Sequence, residues 1–115
     1  MARRPISLRP ASADALAVLG TQIRTARHER NWTAAELADR TGISVRTVLD
    51  IESGKPGVAI GNVFNAATTA GVALFGVEDR EELARIRRRG EERLALLPRR
   101  VRHRTGGQGS DDFDF

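Results

Sequence analysis

Residues 33–54 read TAAELADRTGISVRTVLDIESG, from Thr33 to Gly54. Thr33 stands three residues before Glu36, the spacing of a capping box. In such a box the Thr33 oxygen takes the amide of residue 36, while Glu36 reaches back to the amide of residue 33. The spacing predicts a short helix that buries Leu37 and Ala38. Thr41-Gly42 ends it, because glycine accepts the left-handed conformation of a tight turn. Ser44 caps a second short helix. That helix turns Val48 and Ile51 inward and stops at Gly54. Two short capped helices joined by a glycine turn have helix-turn-helix spacing. Such a pair can lay its second helix in a DNA major groove while the first crosses the backbone.

Upstream, Leu16, Leu19, Ile23 and Ala26 recur at three and four, one face of a helix from Asp14 to Arg30. Ser12 or Asp14 is placed to cap its start, and Asn31-Trp32 breaks the pattern. Residues 1–11 hold Pro5 and Pro10 among arginines and read as a flexible basic arm. Downstream, Lys55-Pro56-Gly57 is a turn. A fourth helix runs from about Ile60 to Ala70, with Val63, Phe64, Ala67 and Ala70 on one face. Gly71 closes it, and Val72, Leu74 and Phe75 are expected to pack beneath. Glu78-Asp79 opens a fifth helix that reaches about Leu97. Its charges are acidic first and basic later, which suits the helix dipole. Leu83, Ile86, Gly90, Leu94 and Leu97 form a heptad-like stripe, and Pro98 ends it. Residues 99–115 hold an Arg/His stretch, a Gly-rich spacer and Asp111-Asp112-Phe113-Asp114-Phe115, a composition expected to be disordered when free.

These 115 residues, 40% apolar, suffice for one small core. The absence of cysteine excludes disulfides, a thiolate nucleophile and a cysteine zinc site. No apolar run approaches the ~20 residues of a membrane span, and the basic N-terminus has no apolar stretch behind it, so a cytoplasmic location is expected. The net charge of +4 suggests an anionic partner, but its distribution is uneven. Residues 1–11 carry three arginines and no acid. Residues 12–76 carry six basic and six acidic side chains, and residues 77–115 ten and nine. His28 and His103 lack neighbours at ligand spacing, so no metal is expected. Glu81-Glu82 and Glu91-Glu92 read as solvated helix faces. No serine has a base or nucleophile elbow beside it, and Gly106-Gly107-Gln108-Gly109 lacks the lysine of a phosphate loop. Neither an enzyme nor a cofactor is expected.

Leu19-Gly20-x-x-Ile23-Arg24-x-x-Arg27, Thr33-x-x-Glu36-Leu37-Ala38, Gly42-Ile43-Ser44 and Ile51-Glu52-x-Gly54 together resemble the Xre/Cro family of phage repressors and bacterial regulators. The likeness covers about residues 15–75. It implies an all-α chain: a five-helix, lambda-repressor-like helix-turn-helix domain over residues 12–76, with an added C-terminal helix over 77–98 and disordered tails. It also implies a homodimer on a palindromic operator in double-stranded DNA. Residues 56–64, Val72-x-Leu74-Phe75-Gly76, Leu96-Leu97-Pro98-Arg99-Arg100-Val101-Arg102 and the acidic-Phe tail resemble HipB-type antitoxins, which pair with a HipA-type kinase toxin and repress their own operon.

At about 100° per residue, Val45, Arg46, Leu49 and Asp50 share the face of the second motif helix opposite Val48 and Ile51. The resemblance makes this the base-facing surface. Arg46 suits a bidentate contact with guanine O6/N7, Val45 or Leu49 a thymine methyl, and Asp50 a cytosine amine. Thr33, Ser44, Thr47, Ser53 and Lys55 occupy phosphate-facing positions, which orient without specifying. By the same resemblance Arg27 and Glu52 form a partly buried ion pair that fixes the recognition helix. Two departures from the family pattern, Ala34 in place of a glutamine and apolar Val45 and Leu49, lower the expected intrinsic affinity. Leu83, Ile86, Leu94 and Leu97 are the expected dimer interface. Asp111, Asp112, Phe113, Asp114 and Phe115 are expected to bind a partner. The competing function is an adaptor that holds a kinase-like partner through this tail, with weak or lost DNA binding.

Overall fold

The computed structural model describes residues 5–101 and 103, and among them five α-helices and one isolated antiparallel bridge, Leu74 to Val77. The helices are α1 (Pro10–Glu29), α2 (Ala34–Thr41), α3 (Val45–Glu52), α4 (Ile60–Ala70) and α5 (Arg80–Ala95). They belong to two units, one through Glu78 with α1–α4 and one from Asp79 with α5. Arg102, Arg104 and the acidic-Phe segment Asp111–Phe115 lie outside the described residues.

Helix α1 begins at Pro10, earlier than the sequence pattern suggests. Proline lacks the amide hydrogen that the first helical position leaves unused, and its fixed φ is already helical. The first turn therefore closes through Ala13 N–H to the Arg9 carbonyl, 2.9 Å, and Ser12 and Asp14 fall inside the helix. Two residues expected to be arm are thus helical. The chain leaves α1 through Asn31 at φ 58°, a conformation asparagine tolerates better than most residues.

The capping box of α2 is complete. Thr33 Oγ1 accepts from the Glu36 amide at 3.0 Å, and Thr33 N–H donates to Glu36 Oε1 at 2.9 Å. The Thr33 backbone hydrogen bond, followed by its side-chain partner, holds the Glu36 carboxyl below the usual carboxylate range. Its contribution is therefore full above the ordinary carboxylate pKa and is lost only as pH falls through the lowered folded value. Gly42, at φ 83°, turns the chain between α2 and α3. Ser44 Oγ then accepts from the Thr47 amide at 3.0 Å to start α3.

Helices α1 and α2 each pack on both α3 and α4. Ile23, Leu37 and Val48 are fully buried where these helices meet, and Ile51, Val63, Ala66, Ala67 and Ala70 surround them. Each large side chain there contributes about 1.5–3 kcal/mol by leaving water. The alanines let α4 approach closely. Its C-terminal carbonyl, on Ala70, accepts from Arg30 Nε at 2.9 Å, which ties the end of α1 to the end of α4.

Val72 and Leu74 pack against this core, but Phe75 is 78% exposed, contrary to the expectation that it packs beneath α4. Phe75 adopts φ 55° in the turn that Val77 N–H closes onto the Leu74 carbonyl, and this turn directs its ring outward. Phe64 is only half-buried, with its ring centroid 6.3 Å from that of Phe75.

The seam of α1 against α3 consists of Gly20, Ile23 and Arg27, spaced three and four apart. A Cβ on Gly20 would lie 2.6 Å from the Ile51 carbonyl oxygen and 2.7 Å from that of Glu52, so the two backbones are in contact. Two turns along, Arg27 forks onto Glu52, with Nε to Oε2 at 2.7 Å and Nη2 to Oε1 at 2.9 Å. Arg27 Nη1 donates to the Trp32 carbonyl at 2.9 Å. Both charged side chains are under a tenth exposed, at 9% and 6%. The hydrogen bonds to Glu52 outweigh desolvation and raise the Arg27 pKa further, so its charge is permanent.

Helix α5 carries no buried residue. It starts on Asp79, whose carboxylate accepts the Glu81 amide at 3.0 Å. Pairs one turn apart line it, Glu82 with Arg85 at 2.6 Å and Arg87 with Glu91 at 3.1 Å. It ends at Ala95, so Leu97 of the expected stripe lies just beyond the helix.

The α1–α3 seam gives a stability prediction. Gly20→Ala must push a methyl into backbone and should cost about 2–3 kcal/mol. Gly61→Ala, where a Cβ meets nothing within 4 Å inside α4, should instead stabilise by up to about 1 kcal/mol. Glu52→Ala strands a buried guanidinium and should cost about 3 kcal/mol. Urea denaturation of the three variants checks this ranking; a Gly20→Ala protein as stable as Gly61→Ala contradicts the backbone contact.

Candidate nucleic-acid interface

Helix α3 buries only Val48 and Ile51. Its opposite face is open: Val45 is 42% exposed, Leu49 41%, and the Arg46 side chain 71%. Asp50 is more enclosed, with its side chain 25% exposed. Val45, Arg46 and Leu49 thus form a surface with two apolar contacts around one long cation. The seam with α1 holds that surface from behind.

Asp50 lies between two cations. Arg46 Nε and Nη2 both donate to Asp50 Oδ1 at 3.2 Å, and Lys55 Nζ stands 3.3 Å from the same oxygen. Desolvation pushes the Asp50 pKa up, but the hydrogen bond and charge of Lys55, then of Arg46, outweigh it and hold the carboxyl below the usual carboxylate range. The cluster carries one net positive charge at neutral pH.

The hydroxyl positions sit at the two ends of α3. Ser44 and Thr47 share a hydrogen bond of 2.8 Å at its N-terminus. Ser53 Oγ donates to the Asp50 carbonyl at 3.1 Å at its C-terminus, and Lys55 follows in the next turn. Thr33 stands apart from these groups at the start of α2, its oxygen engaged by the Glu36 amide.

A cleft of about 330 Å³ runs beside α3, lined by Arg24, Arg27, Arg46, Leu49, Glu52 and Ser53. Arg24 was not among the candidates read from the sequence. The available signal was its spacing: three residues before Arg27, it lies on a neighbouring part of the α1 face that meets α3. With Arg27 neutralised by Glu52, the cleft's cationic character comes from Arg24 and Arg46.

Trp32 bridges α1 and α2 close to this region. The guanidinium carbons of Arg40 and Arg30 lie 4.3 and 5.1 Å from its ring centroid. In the second unit, Leu83 is half-buried while Ile86, Leu94 and Leu97 are 40%, 66% and 54% exposed. His28 and His103 are both exposed. Among the described residues no group of three acidic, histidine or cysteine side chains is arranged to hold a metal ion, and no helix is long and apolar enough to cross a membrane.

The chain is similar in sequence and in fold to known proteins. The chain is 36% identical over 56 residues to the HTH-type transcriptional regulator y4mF of Sinorhizobium fredii, an alignment spanning 49% of this chain and 74% of that protein. The crystal structure of the hypothetical transcription factor NHTF from Neisseria superposes with a TM-score of 0.50 at 25% identity, covering 72% of this chain and 97% of that one. Residues 18–97 match the family described as a helix-turn-helix domain, which takes in α2, α3 and the seam that holds them. The chain belongs to the helix-turn-helix domain family.

Proposed function

We propose that the protein is a sequence-specific DNA-binding transcriptional repressor that reads double-stranded DNA through α3. The observation that carries this reading is the open α3 face, on which Arg46 projects between Val45 and Leu49 from a helix fixed by a buried ion pair. The geometry suits a major groove: an eight-residue helix, a guanidinium for a guanine edge and two apolar side chains for thymine methyls. Lys55, Arg24 from α1 and the one hydroxyl hydrogen that the Ser44–Thr47 pair leaves free flank it with donors for phosphate, while Ser53 donates to phosphate only on leaving the Asp50 carbonyl. Recognition through one short helix covers few base pairs, which favours a homodimer on a palindrome with half-sites roughly 34 Å apart.

We further propose that it is the autoregulating antitoxin of a HipBA-like pair, with a HipA-type kinase as partner. This rests on the resemblance of residues 56–64, 72–76 and 96–102 and of the acidic-Phe tail to HipB-type proteins. In that tail, Phe113 and Phe115 suit apolar pockets and the aspartates a basic rim.

Duplex titrations test the DNA reading. Arg46→Ala should lose discrimination at one base pair per half-site, while Lys55→Ala should weaken all duplexes alike and lower the salt slope by about one unit. An Arg46→Ala protein with unchanged preference contradicts the assigned face.

Sedimentation tests the assembly. The stripe Leu83, Ile86, Leu94 and Leu97 is proposed to join two copies, so Leu94→Asp should convert dimer to monomer. A wild-type monomer at micromolar concentration, or a variant of unchanged mass, argues against this interface.

Truncation after Gly109 separates antitoxin from plain repressor. The shortened chain should keep operator binding and fail to capture a HipA-type kinase in a pull-down. If it instead captures the kinase as before and binds random DNA more tightly, the tail shields the arginines. A full-length protein that captures the kinase but discriminates no duplex is the adaptor.

A further inference from the structure

The Arg46–Asp50–Lys55 cluster sets Asp50 apart from its neighbours on the outer face of α3. A guanidinium has two usable edges: a side edge of Nε–H with one Nη–H, and an end edge of the two Nη groups. Here the side edge is taken, because Nε and Nη2 both donate to Asp50 Oδ1. The end edge is left, and its two parallel N–H groups are the fork that matches guanine O6 and N7. Asp50 lies one helical turn further along α3 and is far less exposed than Arg46, at 25% against 71%. Its carboxylate therefore stands under the arginine that would reach the base edge. Its Oδ1 already faces two cations, since Lys55 Nζ lies 3.3 Å away.

We propose that Asp50 is a positioning residue for base recognition: it holds the Arg46 guanidinium by its side edge so that the end edge faces guanine, and it restrains Lys55 beside it. This rests on the DNA reading of α3. The carboxylate acts in two directions. It narrows the orientations open to a long side chain, which favours the geometry of one base over the others. It also lowers the positive charge offered to phosphate, which weakens binding to DNA of any sequence. An arginine released from Asp50 becomes a swinging cation suited to phosphates. Removing the carboxylate should therefore raise non-specific affinity and reduce discrimination together. A residue that reads its own base, or one that only supports the helix, would not produce that pair of effects at the arginine's position.

The experiment uses the full-length protein and the duplex that the wild type enriches from a randomised pool. That duplex, each of its single base-pair variants and a random duplex are titrated with wild type, Asp50→Asn, Arg46→Ala and the double variant. Asp50→Asn should bind the random duplex about two- to fivefold more tightly, with a salt slope steeper by up to about one unit. Its discrimination should fall by up to about tenfold at the base pair that Arg46→Ala also loses, and nowhere else, as part of the roughly 5- to 150-fold that a bidentate pair supplies. In the Arg46→Ala background, Asp50→Asn should remove no further discrimination. An Asp50→Asn protein that keeps full discrimination at that base pair overturns the role. Loss at a different base pair overturns it in favour of direct reading by Asp50. A wild type that enriches no duplex overturns the DNA reading, and this role with it.

Discussion

The guanidinium of Arg27 is held by three hydrogen bonds, two to the Glu52 carboxylate and one to the Trp32 carbonyl. Those partners sit on α3 and on the loop into α2, so one side chain of α1 sets both motif helices. The need for such a clamp follows from helix length. Eight residues do not make a stable helix in water, and α3 buries only two side chains of its own. Gly20 sets how near α3 comes, because backbone meets backbone there. Arg27, two turns along the same face, sets how α3 is rotated. Helical side chains lean toward the N-terminus, so Arg27 reaches back along the seam to meet Glu52. A carboxylate buried to this degree is costly unless a matching fork meets it, and that cost makes other rotations of α3 unfavourable.

Features that depend on neighbours in the chain were legible in the sequence. The Thr33–Glu36 box, the Ser44 cap and the Gly42 turn are contacts within three or four residues, and the pattern that announces them is the contact itself. The outward face of α3 was legible for the same reason, since helical geometry alone separates Val45, Arg46 and Leu49 from Val48 and Ile51. The pairing of Arg27 with Glu52 came instead from resemblance, because 25 residues separate the partners. The bond from Arg30 to the Ala70 carbonyl spans 40 residues and has no local sign. Phe75 shows the same limit from the other side. Its hydrophobicity argues for burial, but a positive φ in a tight turn decides its direction. The start of α1 differs from the sequence reading because Pro10, grouped there with the flexible arm, stands where proline serves as a first helical residue.

Charge counted along the chain hides how it is spent in space. Residues 12–76 balance six cations against six anions. In the fold, Glu52 cancels Arg27 inside the seam, and Glu36 is turned to the start of α2. Arg30 and Arg40 lie over Trp32, with Arg30 also bonded to Ala70. Beside the open side of α3, Arg46 and Lys55 face the carboxylate of Asp50, and Arg24 lines the adjacent cleft. A stretch whose charges sum to zero therefore presents a modestly cationic surface at the place where a DNA groove is proposed to lie.

That modest charge bears on how a small reader finds its site. Phosphate contacts raise affinity for every duplex alike, and a genome offers vastly more wrong sites than right ones. A surface dense in free lysine and arginine would hold the protein on those wrong sites. Here, in the proposed complex, two of the cations are tethered to a carboxylate, while Val45 and Leu49 contribute apolar contacts that phosphate cannot reward. Discrimination then rests on base edges met in one orientation, and that orientation is only as precise as the helix carrying Arg46. In that complex, the tight packing of the Gly20–Arg27 seam and the selectivity proposed for the α3 face are one property. A looser seam would let the helix rock, and a rocking guanidinium would find phosphate as readily as guanine.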